Sequence, residues 1–336
     1  MAKNTPQKIR FRGREEIVEE IFSVRGRRYF ALERLSRRGA FRVFDRQAGP
    51  DGDYRVLYQF PFSRVTRQKI ETLRRFGGPT ANRNFPGIVD YARQGSDLFV
   101  IWSWVWGTNL RDLLQDVRAG KSPRPGVPET VRLIRGLAHG ISHYHRQAHL
   151  VHGDISPANV IVTSGTKNLV LIDFGSAWPV EQSAGRGSGD GVTRPYAAPE
   201  RIAHHALGDF RADLFSLTVV AWEMLTLEIP YDGAGGQAGL PLVVESFSQS
   251  WVPPSRKIAR RNRLPRKSVE LLDDVFRMSL SLHPDGRYAT PPEWLDAWDE
   301  LHYALRKGGR LSVFEHWLFG LLETLGGMFS TGRSKP

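Results

Sequence analysis

Three oxygen-bearing side chains stand at a spacing that suits phosphate chemistry. Asp154 and Asn159 lie five residues apart in the stretch HGDISPAN, and Asp173 follows fourteen residues after Asn159 in an Asp-Phe-Gly triplet. Carboxylate and amide oxygens are the ligands that Mg²⁺ prefers in proteins. Asp and Asn also favour turns and helix caps, which is the alternative interpretation of such residues. Their order and spacing predict a site for phosphoryl transfer.

The bulk composition narrows the classes of protein that fit. The 336 residues suffice for one large domain or two of medium size, and the absence of cysteine excludes disulfides and thiolate metal sites. We expect neither a membrane-spanning helix nor a secretory signal, because no suitable apolar run occurs. The net charge of +12 favours anionic partners, or else reflects a basic solvated surface. The expected location is cytoplasmic.

The apolar pattern changes along the chain from strand-like to helical. Alternating and β-forming stretches predict strands over residues 29–35, 41–45, 54–60, 88–93 and 98–105. Helical spacing predicts helices over residues 63–76, 130–146, 213–225, 268–281 and 292–305. Small residues predict mobile loops over residues 183–191 and 232–239. The strand-rich first part and the helix-rich second part predict an α+β fold with two lobes and a cleft between them.

These motifs resemble those of the eukaryotic-type protein kinase family, over roughly residues 29–305. The resemblance implies a bilobal α+β fold with a small antiparallel β N-lobe and a larger helical C-lobe. It divides the chain into a basic N-terminal extension (1–28), an N-lobe (29–102), a hinge (103–106), a C-lobe (107–305) and a basic, amphipathic tail (306–336). ATP and Mg²⁺ are the implied cofactors, and the implied partner is a protein substrate or a regulated protein.

The resemblance assigns roles to the residues of the motifs. The Asp154 position accepts or orients the proton of the substrate hydroxyl, and the Asn159 and Asp173 positions hold Mg²⁺. Thr193 falls where Ser/Thr-directed kinases keep a threonine beside the catalytic aspartate. These residues are the candidate catalytic and metal-binding set.

Three further matches belong to the scaffold of the site. Glu200, in the stretch YAAPE, stands where the family has a glutamate that pairs with a buried arginine, and Arg287 matches that partner. Asp213 matches the helix residue that anchors the catalytic loop from below. A buried charge is tolerated only with its partner, so we expect each of these residues to be paired.

The residues that bind the phosphates of ATP in the family, which we call the phosphate grip, are altered in this chain. The loop that should carry three glycines keeps only Gly39, so its backbone approaches phosphates less freely. The lysine of the third strand is replaced, and its position falls at Gln59. The helix glutamate that should pair with that lysine falls at Lys69, with Glu71 as the alternative on another face of the helix.

The catalytic loop has two replacements of its own. Ser156 stands in place of the usual lysine, and Gly153 stands in place of the usual arginine. In the family that arginine senses a phosphate on the activation loop, so activation by loop phosphorylation is not expected. Losing both lysines without replacement would leave little turnover, since a cation about 4 Å from a phosphate oxygen contributes roughly 4 kcal/mol at an effective dielectric constant of 20.

Two basic residues are candidates to supply the missing charge. Arg42 falls at the third-glycine position, and the with-no-lysine kinases place their displaced lysine at the matching point. Lys69 is the second candidate, because it would reach the cleft from the helix. The alternative for each is an ordinary solvated basic residue, and we hypothesise that at least one binds phosphate.

Aromatic residues enter the expected hinge at strand spacing. Trp102 falls at the gatekeeper position, and Trp104 lies in the stretch expected to line the adenine slot. The alternative is an aromatic strand that packs into the core, and both descriptions can hold together. In the tail, residues 311–329 have an apolar helical side flanked by basic residues, which suits an anionic membrane, a partner or the chain's own helical lobe.

Four interpretations remain open at this stage. The first is an ATP- and Mg²⁺-dependent Ser/Thr protein kinase-like enzyme with an altered phosphate grip. The second is a pseudokinase that acts as a scaffold or regulator. The third is a small-molecule phosphotransferase, because His-Gly-Asp resembles the loop of aminoglycoside and choline kinases, although those enzymes lack the Glu200, Asp213 and Arg287 set. Nucleic-acid binding is the weakest, since no recognition module is evident.

Overall fold

The chain forms a sheet-based lobe followed by a helical lobe. The computed structural model describes residues 8–36, 39–76, 82–182, 193–203, 208–240, 243, 246, 251–258 and 264–307. This arrangement confirms the predicted bilobal α+β fold, with a small antiparallel β lobe and a larger helical lobe.

Six antiparallel strands build the first lobe. In spatial order they are β3 (Glu20–Val24), β4 (Arg27–Ser36), β5 (Ala40–Asp45), β6 (Asp53–Pro61), β8 (Asp97–Ser103) and β7 (Ile88–Gln94). Side chains alternate between the two faces of a strand. On β6, Val56, Tyr58 and Phe60 pack toward the helical lobe, whereas Leu57 belongs to a separate apolar cluster on the other face.

The sheet begins earlier in the chain than the apolar pattern indicates. The apolar pattern predicts a first strand at residue 29, but β3 precedes that point and pairs along β4. A further hairpin, β1 (Lys8–Phe11) and β2 (Arg14–Ile17), lies before β3. The reason for the difference is that each of these strands is only four or five residues long, and β1 and β2 are also rich in charge, so the period-2 signal is weak.

One helix packs against the sheet of the first lobe. Helix α1 spans Arg67–Phe76, whereas sequence analysis starts it at residue 63. The hydroxyl of Thr66 accepts a hydrogen bond from the backbone N–H of Lys69 at 3.1 Å, which caps the first turn. Leu73 and Phe76 are buried in the main core, so the predicted apolar face is the packed face.

Seven helices are described in the second lobe. They are α2 (Leu110–Arg118), α3 (Val127–Ala148), α4 (Pro199–Ala203), α5 (Phe210–Thr226), α6 (Pro254–Lys257), α7 (Arg266–Ser279) and α8 (Pro291–Lys307). Four of them correspond to helices predicted from periodicity. Helix α5 is buried on nearly every side, which explains why its sequence is apolar all round rather than amphipathic.

Short strands hold the loops of the candidate site. β9 (Gly107–Asn109), β11 (Val160–Thr163) and β12 (Leu169–Leu171) form one small sheet, and β10 (Leu150–Val151) pairs with β13 (Trp178–Pro179). Loop 152–159 therefore runs between β10 and β11. Loop 172–177 runs between β12 and β13, so both loops are fixed at each end.

Two predicted loops have different outcomes. Residues 232–239, expected to be a mobile loop, include a buried 3₁₀ turn, Gly235–Gly239, which packs under the backbone that precedes α4. A Cβ on Gly236 would lie 1.7 Å from the Ala197 carbonyl oxygen, so glycine here serves close packing. Residues 183–191 and the tail segment 311–329 lie outside the described residues.

Within the described parts of the chain, no helix has the length and apolar character needed to cross a membrane.

Candidate active site

Two predicted residues of the loop between β10 and β11, Asp154 and Asn159, meet Thr193 of the segment that precedes α4. The Asp154 carboxylate oxygen Oδ1 accepts hydrogen bonds from the Thr193 hydroxyl at 2.9 Å and from the Thr193 N–H at 3.0 Å. The Asn159 side-chain amide donates to the Asp154 carbonyl at 2.8 Å and to Oδ2 at 3.1 Å. The carboxylate is thus held on both oxygens and remains partly exposed.

Asp213 holds this loop from the helical lobe. Its buried carboxylate accepts hydrogen bonds from the N–H groups of His152 and Gly153, each at 2.8 Å, and from the His145 ring at 2.8 Å. Burial alone would raise the pKa of Asp213, but the His145 hydrogen bond and the charges of His145 and His152 bring it below its usual range. Because the N–H groups point at this carboxylate, the loop backbone is fixed.

Gly153 stands where a side chain would not fit. Its φ is +75°, and a Cβ on it would lie 1.9 Å from the Trp178 ring. Trp178 is fully buried, donates its indole N–H to the Gly208 carbonyl at 3.1 Å, and carries the Arg201 guanidinium over its ring at 4.4 Å. The space beside the catalytic loop is therefore filled by Trp178.

The predicted metal-binding residues lie next to each other. The Ile172 N–H donates to the Asn159 carbonyl at 2.8 Å, which sets Asp173 beside Asn159. Asp173 has a left-handed backbone (φ 62°), and its carboxylate accepts from the Gly175 N–H at 3.1 Å. An amide and a carboxylate oxygen are a donor set that fits Mg²⁺ when other oxygens complete the shell. Among the described residues, no three or more His, Cys, Asp or Glu side chains are grouped to hold a metal.

Phe174 anchors the Asp173 segment in an aromatic cluster. Its ring lies 4.3 Å from Phe76, 4.9 Å from His152 and 5.5 Å from Trp102, with which it is stacked at 18°. Trp102 is buried and also packs edge-on against Phe76 at 4.8 Å. The predicted gatekeeper is thus a core residue that supports Phe174.

The Gln59 side chain does not face the cavity beside Asp173, whereas that of its neighbour Tyr58 does. The Gln59 amide lies on the other face of β6, where it donates to the Asp97 carboxylate at 2.8 Å. Tyr58 instead faces α1 and lines a small cavity of about 20 Å³ together with Asp173. Burial, and then the charge of Asp173, raise the pKa of the Tyr58 hydroxyl well above its ordinary value. Neighbouring residues of a strand point to opposite faces of the sheet, so one step along β6 separates Gln59 from this cavity.

Lys69 brings a cation to the same cavity from α1. Its ammonium donates to the Gly175 carbonyl at 3.2 Å and lies 4.9 Å from the centre of the Phe60 ring. Burial lowers the pKa of Lys69, and the nearby Asp173 carboxylate opposes this shift. The ammonium therefore lies beside the segment that carries the candidate metal ligand.

Arg42, the other candidate cation, is already paired. Its guanidinium contacts the carboxylates of Glu16 at 2.7 Å and Glu33 at 3.2 Å, and lies 5.1 Å from the Tyr54 ring centre. Arg42 is directly opposite Val56 in the pairing of β5 with β6, so its side chain leaves the same face of the sheet as Tyr58. An anionic ligand would have to compete with two carboxylates for this guanidinium.

Gly39 and Trp104 border the site at the loop and hinge. Gly39 has a φ of +88°, and a Cβ on it would lie 2.5 Å from the Gln59 carbonyl oxygen, so its close contact with β6 requires glycine. The neighbouring residues 37 and 38 lie outside the described residues. Trp104 packs with Tyr54 at 6.0 Å in an apolar cluster at the hinge end of the sheet.

Sequence analysis missed a row of contacts between α1 and the Asp173 segment. The Thr72 hydroxyl donates to the Ala177 carbonyl at 3.4 Å, and Arg75 bonds the Glu181 carboxylate at 3.0 Å and the His149 carbonyl at 3.3 Å. These residues follow Lys69 at helical spacing, so they share one face of α1. The helical spacing of these residues is visible in the sequence. The backbone carbonyls of Ala177 and His149 that they contact cannot be identified from the sequence.

The remaining scaffold pair, Glu200 and Arg287, joins α4 to the segment between α7 and α8. Arg287 bonds both carboxylate oxygens of Glu200, at 2.8 and 3.0 Å, and its side chain is fully buried. It also donates to the carbonyls of Ser281 and Arg211. A bidentate pair with its other donors satisfied is the geometry in which a buried arginine is tolerated.

The two lobes and the paired loops define a protein-kinase-like fold. A family model described as the protein kinase domain matches residues 70–290, well over half of the chain. The chain belongs to the protein kinase family.

Several bacterial kinases are similar in sequence. The Ser/Thr-protein kinase PknF of Mycobacterium tuberculosis is 30% identical over 263 residues, which cover 76% of this chain and 49% of PknF. The probable Ser/Thr-protein kinase PknB of Bifidobacterium longum is 26% identical over 240 residues, covering 67% of this chain and 32% of that protein. The chain spans about half, or less, of the length of these curated relatives.

Solved structures agree at the level of fold. The crystal structure of the Mycobacterium tuberculosis PknI kinase domain has a TM-score of 0.54 at 22% identity, covering 81% of this chain and 96% of that one. A double mutant of the same domain gives a TM-score of 0.55 at 19% identity, with 82% and 95% covered.

Proposed function

We propose that this chain is an ATP- and Mg²⁺-dependent Ser/Thr protein kinase-like phosphotransferase with an altered phosphate grip. The observation that carries the proposal is the set formed by Asp154, Asn159 and Thr193, with Asp173 beside it. A protein serine or threonine is the proposed acceptor, as in the relatives named Ser/Thr-protein kinases.

Asp154 is the proposed acceptor of the substrate hydroxyl's proton. Thr193 and Asn159 fix its carboxylate, so it can orient the hydroxyl. The hydroxyl oxygen would bond to the terminal phosphorus of ATP while the bond from that phosphorus to ADP breaks, ADP leaves, and the hydroxyl proton passes to Asp154. Asn159 and Asp173 would hold Mg²⁺, which when bound neutralises phosphate charge. Positioning and electrostatics, rather than covalent chemistry, would supply the rate enhancement.

Lys69 is the proposed replacement for the missing strand lysine. Its ammonium is beside the Asp173 segment and donates to a carbonyl, whereas Arg42 is held by two carboxylates. A lysine ammonium acts as a point charge on a flexible stem, so it can reach a phosphate from the helix as well as from the strand. We therefore assign the phosphate contact to Lys69 as long as Arg42 stays paired with these two carboxylates.

A pseudokinase scaffold is the second candidate, and a specific observation favours it. Tyr58, which cannot carry a positive charge, stands at the strand position that faces Asp173. If Lys69 does not bind phosphate, none of the described residues that line this cavity supplies a cation, and the site would support little turnover. A small-molecule phosphotransferase ranks third, because the paired Glu200 and Arg287 belong to the protein kinase pattern.

The test is phosphate incorporation from labelled ATP with Mg²⁺, by autophosphorylation of the full chain. We expect incorporation by the parent protein and by Asp112→Asn, an exposed control with the same change of charge. Asp154→Asn should lose activity by about 10² or more. Absence of incorporation while Mg·ATP still raises the melting temperature would support the scaffold. Absence of both would overturn nucleotide binding altogether.

A further inference from the structure

The N-terminal hairpin, β1 and β2, lies against the cleft-facing side of the sheet. Ile9 and Phe11 are buried in a cluster whose sheet members are Phe44 and Tyr54, and the Phe11 ring is 5.1 and 5.0 Å from theirs. Tyr54 lies four residues before Tyr58 on β6, so both side chains leave the same face of the sheet. The hairpin therefore occupies the hinge end of the face that borders the candidate nucleotide site.

The hairpin also reaches the hinge itself. The Arg12 guanidinium, in the turn between β1 and β2, lies 4.4 Å from the centre of the Trp106 ring. Trp104 packs against the cluster that contains Phe11. The hairpin is thus held at two places, on the sheet and on the segment that connects the lobes.

Glu16 of the hairpin is the partner of Arg42. Its carboxylate lies 2.7 Å from the Arg42 guanidinium, and the Tyr54 hydroxyl donates to the same carboxylate. Burial and this carboxylate raise the pKa of Tyr54 to about 12. The Arg42 and Glu16 side chains are only 22% and 16% exposed, so the pair is poorly screened by solvent.

Charge counting shows why this pair matters for a cleft ligand. Arg42 carries one positive charge, and the carboxylates of Glu16 and Glu33 carry two negative ones. A phosphate approaching Arg42 must compete with these carboxylates, whereas release of Glu16 would leave the guanidinium free to donate hydrogen bonds to a phosphate oxygen. The hairpin and an anionic ligand thus compete for one cation.

We propose that Arg42 is a binding site for a phosphate group of a nucleotide in the cleft, and that Glu16 occupies this site as an internal anion while the N-terminal hairpin is docked. The proposal rests on the proposed nucleotide-binding function and adds its regulation. Nucleotide binding would loosen the hairpin, and loosening of the hairpin would strengthen nucleotide binding by the same factor.

The experiment measures Mg·ADP affinity by calorimetry on the full chain. Glu16→Gln should bind Mg·ADP about fivefold more tightly than the parent protein, because it removes the competing charge. Glu15→Gln is the matched control, since Glu15 lies on the same strand with an exposed Lys8 partner and should leave the affinity unchanged. The gain should disappear in Glu16→Gln combined with Arg42→Ala.

Amide exchange supplies the second measurement. Saturating Mg·ADP should speed exchange of the β1 and β2 amides in the parent protein. Unchanged or weaker binding by Glu16→Gln, together with unchanged exchange in the hairpin, would overturn the proposal. If binding then still falls in Lys69→Ala, the proposed function survives and only the hairpin's role is refuted. Loss of Mg·ADP binding in every variant, the parent included, would refute both.

Discussion

The two halves of the candidate site are built in different ways. In the helical lobe, each charged scaffold residue has its partners: Asp213 receives two loop N–H groups, and Arg287 bonds both oxygens of Glu200. In the sheet lobe, Tyr58 lines a cavity with Asp173, and Lys69 brings a cation to that cavity from α1. The helical half keeps its paired scaffold residues although Ser156 and Gly153 differ from the family pattern, whereas the sheet half lacks the strand lysine itself.

The difference follows from what each half must do. The catalytic loop needs directed hydrogen bonds, which depend on particular backbone positions and tolerate little displacement. The phosphate grip needs a positive charge at one place, and a flexible lysine stem allows that charge to come from more than one Cα position. Point charges can therefore be relocated in evolution more easily than hydrogen-bonded loops.

Removing Asp213, which anchors the loop 152–159 in the helical half, should cause the largest loss in the free energy of unfolding. Asp213→Ala leaves two loop N–H groups and His145 buried without their acceptor, so we expect a loss of about 4 kcal/mol in the free energy of unfolding. Urea denaturation measures it, with the exposed Asp112→Ala as the control. Because the pKa of Asp213 lies below its usual 3.8, its contribution is present above that pH and is lost as pH falls through the lowered value. A flat acid profile in the parent protein would contradict this assignment.

Disrupting the close contact between Gly153 and Trp178 should cause the next largest loss in the free energy of unfolding. Gly153→Ala places a Cβ 1.9 Å from the ring at a φ of +75°, and we expect a loss of about 3 kcal/mol in unfolding free energy. Gly165→Ala is the matched control, since Gly165 has a φ of +85° with nothing within 4 Å of its Cβ. It should lose only about 1 kcal/mol. Equal losses in the two variants would show that Trp178 does not fill this space.

The sheet half can be tested by comparing its two cations. Lys69→Ala should weaken Mg·ATP binding by about tenfold or more, because the ammonium near Asp173 is removed. Arg42→Ala should stay within about threefold of the parent protein, because Arg42 is neutralised by Glu16 and Glu33. Calorimetry at fixed salt measures both. The reverse order of effects would move the phosphate grip to Arg42.

Removing Arg75, which links α1 to the segment after Asp173, should have the smallest effect on stability. Arg75→Ala removes the ion pair with Glu181 and the bond to the His149 carbonyl, both partly exposed to solvent. We expect about 1 kcal/mol, seen as roughly fivefold faster amide exchange in residues 174–181. Arg74→Ala, on the exposed side of α1, is the control and should leave the exchange rates unchanged.

The helical half was the easier one to predict from sequence. Asp154 and Asn159 are close along the chain, and residue types such as those around Glu200 keep their spacing, so local motifs carried the information. In the sheet half, no lysine marks the strand position, and the sequence pattern indicates Gln59, one residue from Tyr58, which lines the cavity. Alternation along a strand turns that single step into the opposite face of the sheet.

The N-terminal hairpin escaped prediction for a related reason. β1 buries only Ile9 and Phe11, so its apolar signal is shorter than a typical strand run. Its docking depends on contacts more than thirty residues away along the chain, such as that of Phe11 with Phe44. Such tertiary contacts are set by packing and leave no local pattern to detect.

The proposed transfer of the phosphate-binding charge from strand β6 to helix α1 is tested most directly by a charge transposition. Lys69→Glu alone should weaken Mg·ATP binding by about thirtyfold or more, because it replaces a cation by an anion. Adding Tyr58→Lys should restore affinity to within about fivefold of the parent protein, since the strand cation then faces the helix anion. Adding Gln59→Lys, on the opposite face, should restore nothing. Unchanged binding by Lys69→Glu, or rescue by Gln59→Lys and not by Tyr58→Lys, would contradict the account.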